Sequence, residues 1–167
     1  LSLRSRLNPT TAVLTRTYED AKKNPQRVVF AEAEEEVILR AAIQLRDFGY
    51  GKPILVGRTE KVRAALGNLG VDDVDSFQIE NSADSPHIPA MVDFLYTRLQ
   101  RRGYTERDVR RMVNQERNVF AALLVALGEG DAMISGITRT FSQTAREINR
   151  VLDPKPGEIA FGIHMMI

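Results

Sequence analysis

The stretch DAMISGITRTFSQTAREINRVL, Asp131 to Leu152, holds the densest set of chemically capable residues in the chain. An apolar run ends at Ser135-Gly136, and hydroxyls follow at Thr138, Thr140, Ser142 and Thr144 as a helical pattern begins. Such a turn suits an oxyanion. Glycine lets a ligand approach the backbone, and a helix start offers unpaired N–H groups and the positive end of the helix dipole. Arg139 and Arg146 would add charge from one helical face if the helix begins early enough. Arg150 follows Arg146 by one turn, a like-charged pair that repels unless a bound anion, Glu147 or Asp153 offsets it. The same residues also suit ordinary helix capping and a solvated face, and the pattern alone leaves both open.

A second concentration is EAEEEVILR, Glu32–Arg40. Acids there complement a helix N-terminus; the alternative is a carboxylate pair for acid–base or metal chemistry, but no second acidic cluster or histidine lies near. The arginines from Arg98 to Arg111 are broken by Glu106 and Asp108 and accompanied only by Tyr104. They read as a solvated helix pair rather than a stacking platform for single-stranded nucleic acid. No G-x-G-x-x-G follows the first strand, and no G-x-x-x-x-G-K-[ST] or G-x-S-x-G occurs. A dinucleotide Rossmann site, a P-loop and a hydrolase elbow are thereby disfavoured. The chain has no cysteine, so disulfides, thiolate nucleophiles and Cys-based zinc sites are out. His87 and His164 are too far apart in sequence to suggest a His-rich metal site.

The elements that must position these residues alternate. Residues 1–7 read as a linker or frayed end, and a helical pattern from Pro9 ends near Lys23 before Asn24-Pro25. Strands are expected at Arg27–Ala33, Lys52–Arg58, Ser76–Asn81, Asp131–Gly136 and Glu158–Ile167. Helices are expected at Glu34–Gly49, at Thr59–Gly70 with Thr59 as N-cap, and over Ala90–Gly103. Others follow from a Thr105 N-cap, over Arg117–Gly128 and over Phe141–Leu152. Strands that are continuously apolar and alternate with helices imply an α/β fold. Its mostly parallel sheet has about five strands, with helices on both faces in three α/β/α layers. Ligands of such sheets bind beyond the carboxyl ends of the strands. Those ends are Glu32-Ala33-Glu34, Gly57-Arg58, Asn81-Ser82 and Ser135-Gly136, the last being the richest.

With 167 residues, 43% of them apolar, the chain can bury a sizeable core. A net charge of +1 advertises neither nucleic acid nor a membrane surface as partner. The longest apolar run, Val119–Leu127, is far short of the roughly 20 residues that span a bilayer, and no signal peptide is visible. A cytoplasmic location is expected. The chain does not start with Met and ends in the apolar FGIHMMI, which reads as a piece of something longer.

The opening stretch resembles the phosphate acetyltransferase (phosphotransacetylase) signature, in which a G-D-x-D-A-x-x-S-G strand end leads to a T-x-x-x-T-x-R helix. Gly130-Asp131-Ala132, Ser135-Gly136, Thr140, Thr144 and Arg146 fit it. NPQRVVFAEAEEEVILRAA, GYGKPILVGR and RRGYTERDVRRMVNQERNVFAALLV agree in order and spacing, so the resemblance runs from about residue 8 to the end. RVVFAEAEEEVILRAA and RRGYT are closer still to the phosphotransacetylase-like C-terminal module of bacterial NADP-dependent malic enzymes. There are departures. Leu99 stands where transferases carry an Arg, Glu147 where they carry Pro, Arg139 where a His is common, and Ala33 where they carry Gly.

The resemblance implies two α/β subdomains with a cleft between them. Residues 8–157 would form most of the first and 158–167 the opening strand of the second, with the family's catalytic Ser and Asp beyond Ile167. It implies no catalytic residue here and favours an effector or phosphate site at Ser135, Gly136, Thr140, Thr144 and Arg146, with Arg139 the weaker member. The ligand would be acetyl-CoA, CoA or a related acyl-CoA or phosphate compound, sensed rather than turned over. NADP and a divalent metal would belong to the malic enzyme part of the same chain, and a homo-oligomer is expected. An active acetyltransferase fragment and an assembly module are the alternatives.

Overall fold

A computed structural model describes residues 9–159, with side chains described from residue 14. The order is α1 (Pro9–Lys23), β1 (Gln26–Phe30), α2 (Glu36–Asp47), β2 (Gly51–Val56), α3 (Thr59–Asn68) and β3 (Gln78–Glu80), then α4 (Ile88–Leu99), α5 (Glu106–Gln115), α6 (Arg117–Ala126), β4 (Ala132–Ile134) and α7 (Phe141–Ile148). The four strands form one sheet in the order β3-β2-β1-β4, every pair parallel.

Strand side chains alternate between the sheet's two faces, and each face is covered. Phe30 and Leu55 point to α2 and α3, where Ile38, Leu39, Ala42, Val62 and Leu66 complete one core. Val29, Ile54 and Val56 point the other way, to α4, α5 and α6. The sequence VFAALLVALG explains α6. Every residue from Asn118 to Leu124 is buried, as expected of a helix apolar all round. The three-layer α/β/α expectation therefore holds, with four strands among the described residues. The expected fifth strand, Glu158–Ile167, lies outside the described residues except for Glu158 and Ile159, which are in no strand.

Several boundaries differ from expectation for local reasons. β1 stops at Phe30, because Glu32 and Glu34 are drawn aside to partners in neighbouring loops. The N-cap of α3 is Arg58, not Thr59, and no side chain caps it. The third strand shortens to Gln78–Glu80, because Val74–Ser76 form a 3-10 turn. α7 ends at Ile148 rather than Leu152. The Thr105 expectation holds as a full capping box. Thr105 Oγ1 accepts from Asp108 N–H at 3.2 Å, and Asp108 Oδ2 accepts from Thr105 N–H at 3.0 Å.

The Gly-Asp pair before β4 sets how closely that strand meets β1. Asp131 accepts from the backbone N–H of Arg27 at 2.8 Å and from its guanidinium at 2.7 and 3.2 Å. At Gly130 an added Cβ would sit 2.4 Å from Cγ2 of Val29, which is fully buried. Gly130→Ala should therefore cost about 1–3 kcal/mol, seen as a lower urea midpoint. Gly67→Ala in α3, where a Cβ meets nothing within 4 Å, should instead gain up to about 1 kcal/mol.

Candidate functional site

The strand order places the switch point between β1 and β4, where an open α/β sheet forms its crevice. Beyond Phe30 the chain straddles both neighbours of β1. Ala31 N–H donates to Ile134 O at 3.1 Å on the β4 side, and Ala33 N–H to Val56 O at 3.2 Å on the β2 side. Glu32 and Glu34 accordingly serve different loops.

Glu32, 2% exposed, fills the turn after β4. Its Oε2 accepts from Gly136 N–H at 3.0 Å and Ile137 N–H at 2.8 Å, and its Oε1 from Thr138 N–H at 3.0 Å and the Thr138 hydroxyl. Successive backbone N–H groups converging on one point form an anion nest. Gly136, at φ 117°, supplies the bend that only glycine adopts readily. Burial pushes the Glu32 carboxyl up, but the Thr138 hydroxyl and the three N–H groups together hold it below its ordinary value. The sequence offers these N–H groups to an external anion. In the structure the anion is the protein's own.

A second network lies behind α7. Ser135 Oγ donates to Asn118 Oδ1, and Asn118 Nδ2 donates to Glu147 Oε2 at 2.7 Å. The other Glu147 oxygen takes Arg139 and, at 3.3 Å, Gln143. Glu147 and Asn118 are buried, so the charge they hold must be compensated in place, and Arg139 does this. Thr140 is the N-cap of α7, accepting from Gln143 N–H at 3.4 Å. Arg139 therefore precedes the helix and does not share a helical face with Arg146. Thr144 turns inward, and its hydroxyl has no partner among the described residues.

The neighbours of Arg146 are all engaged elsewhere. Arg150 pairs with Glu116 at 2.7 Å, Asp153 with Arg98 at 2.6 Å, and Glu147 with Arg139. Exposed Arg146 makes no hydrogen bond or ion pair among the described residues. It lines a groove of about 450 Å³ together with Thr140, Ser142, Gln143 and Arg139. On its other side Arg146 borders a second hollow of about 520 Å³ beside Arg102 and Tyr104. Of the six predicted residues, Thr140, Arg139 and Arg146 come together at the groove, whereas Thr144 is buried, half-buried Ser135 bonds Asn118, and exposed Gly136 gives its N–H to Glu32. Ser142, one of the hydroxyls the sequence offered, also lines the groove, whereas sequence reasoning missed Asn118 and Gln143. A lone amide in an otherwise apolar helix was the available signal for Asn118.

Glu34, the second carboxylate from β1, accepts from Arg58 at 2.9 and 2.7 Å and lies 3.3 Å from Arg117. The acidic stretch is thus a pair of clamps rather than a catalytic dyad. Among the described residues no group of three His, Asp or Glu could hold a metal, and no helix is long and apolar enough to cross a membrane.

An open parallel sheet, whose switch point leads to a hydroxyl-lined groove with an arginine unpaired among the described residues, defines the class of this chain as an α/β module of parallel-sheet type. The chain belongs to the phosphate acetyl/butaryl transferase family, whose profile matches residues 12–167. It is 41% identical over 166 residues to an NADP-dependent malic enzyme of Rhizobium meliloti and 40% identical to a probable NADP-dependent malic enzyme of Rickettsia prowazekii. Each match covers 99% of this chain and 22% of the relative's length. A phosphate acetyltransferase of Helicobacter pylori is 32% identical over 82% of this chain and 26% of its own. Among solved structures, a phosphotransacetylase from Streptococcus pyogenes superposes with a TM-score of 0.82 at 28% identity. It covers 96% of this chain and 46% of that one.

Two outcomes follow from the clamps. Glu32→Gln leaves one strong acceptor for three N–H groups and should cost about 2–4 kcal/mol in urea unfolding. Glu34 is held down from 4.5 to about 2, first by its hydrogen bonds to the Arg58 side chain, against the cost of burial. A depressed carboxylate stabilises fully above its ordinary value and loses that contribution as pH falls through its folded one. Glu34→Gln should therefore lower the melting temperature at neutral pH and flatten its fall between pH 4.5 and about 2.

Proposed function

We propose that this chain is the phosphotransacetylase-like module of an NADP-dependent malic enzyme and that it senses acetyl-CoA without turning it over. Arg146, unpaired among the described residues and lining a groove large enough for a cofactor-sized ligand, is the observation that carries this reading. A guanidinium with all its donors open is suited to a phosphate or pyrophosphate oxygen. Thr140, Ser142 and Gln143 add polar contacts. Arg139 contributes less, because it already compensates Glu147.

Sensing without transfer is supported by Leu99. It stands where transferases carry an arginine and is 1% exposed inside the core, so that position offers the groove no charge. Acetyl-CoA would act by favouring a less active state of the malate-decarboxylating part of the parent enzyme, which would hold NADP and its divalent metal. We place that enzyme in the cytoplasm.

Similarity to the Helicobacter pylori phosphate acetyltransferase supports a second reading, a fragment of an active transferase. Exposed Ile134, Ile137 and Phe141, at 45%, 52% and 84%, support a third, in which this module holds a homo-oligomer together.

The test is a titration of acetyl-CoA against the full-length parent during NADP-dependent malate decarboxylation. Inhibition of the wild type is expected, with Arg146→Ala raising the half-effect concentration about tenfold or more and leaving basal malate activity intact. No response in either protein would overturn the sensor reading. With inorganic phosphate added, conversion of acetyl-CoA and phosphate to acetyl phosphate and free CoA would support the transferase, and loss of the oligomer on deleting the module would support assembly.

A further inference from the structure

A separate pocket of about 170 Å³ lies at the carboxyl ends of β1, β2 and β3, away from the Arg146 groove. Its charges do not balance. Arg58 and Arg117 of the lining lie 2.7 and 3.3 Å from its single carboxylate, Glu34, an excess of one positive charge, and Lys61, outside the lining, adds a second at 4.0 Å from the same carboxylate. Arg58 spends its fork on Glu34, binding it through both Nε and Nη2. Arg117 does not. It makes an ion pair but no hydrogen bond among the described residues, so its N–H donors remain open beside the pocket.

The rest of the lining also offers donors. Asn81 Oδ1 accepts from Ala83 N–H at 3.2 Å, and its amide N–H groups have no partner among the described residues. The side-chain amides of Asn114 and Gln115 have no partner among the described residues. Size narrows the class further. Ligand pockets for drug-sized molecules run from about 300 Å³ upward, and this one holds only about five or six waters at about 30 Å³ each. The pocket thus matches a compact anion in size.

We propose that this pocket is a second anion site, taking a small dianionic oxyanion, either inorganic phosphate or a short dicarboxylate. Two charges match the local excess, and the fork of Arg117 presents parallel donors to a planar carboxylate or a phosphate edge. The site is independent of the acetyl-CoA reading. Glu116 and Arg117 are neighbours at the α5–α6 junction but face different hollows, Glu116 toward Arg150 and Arg117 toward Glu34.

The test uses the full-length chain carrying Arg146→Gln, which silences the other groove. Sodium phosphate and, separately, sodium succinate are titrated calorimetrically at constant ionic strength. One saturable event per chain that is weakened about tenfold or more by adding Arg117→Gln is expected, counted apart from any succinate binding that malate displaces from the parent's malate site. Asn114→Ala removes an exposed amide that holds nothing in the fold, so it should weaken binding severalfold even if the arginine variant fails to fold. Binding of only one of the two anions, with the same sensitivity to these variants, supports the site and fixes its chemistry. Absence of saturable binding, or binding that neither variant moves, overturns it. Failure of the acetyl-CoA reading leaves this result untouched, because Arg146 is already absent.

Discussion

The carboxylate of Glu32 holds the crevice of this module in shape. It leaves the central strand and closes on three successive backbone N–H groups of the turn after the adjoining strand. Without those N–H groups the Glu32 carboxylate, 2% exposed, would be a buried charge lacking donors, which is costly. The clamp orients Ser135 toward Asn118 and hands the chain on to Thr140, which starts the last helix. The position of Arg146 depends on where that helix starts.

A division of labour follows. The hydroxyls and glycine that look like a ready phosphate cradle are mostly committed to the protein itself. Gly136 and Thr138 bind Glu32, Ser135 binds Asn118, and Thr140 caps a helix. What remains open to a ligand is charge and surface polarity, chiefly Arg146. The conflict between Arg146 and Arg150 is resolved through Arg150, which is neutralised by Glu116 from the α5–α6 junction. The anion that would satisfy Arg146 therefore has to come from outside the described residues.

The family's Gly-Asp pair has a structural role. Gly130 admits Val29 against the backbone, and Asp131 locks onto Arg27, both at the end of the sheet away from the groove. The two acids after the central strand act likewise on its two sides, Glu32 on the β4 loop and Glu34 on the β2 loop. A pair of carboxylates two residues apart on a strand end can thus fasten two separate crossovers without taking part in chemistry.

Fold class, alternation of elements and the two helix-covered faces were legible in the sequence, because hydrophobic period and Gly, Pro and Thr punctuation are local signals. Arg146 was legible as a candidate for the same reason, since it follows a hydroxyl-rich turn at helical spacing. Partner choice was not legible. Glu32 meets Thr138 across 106 positions, Asn118 meets Glu147 across 29, and Arg150 meets Glu116 across 34. No short-range pattern records such pairings. The sequence by itself determined which groups could bind an anion. Only the tertiary structure decided which are already bound, because a buried polar group takes the partner that packing brings within hydrogen-bond reach.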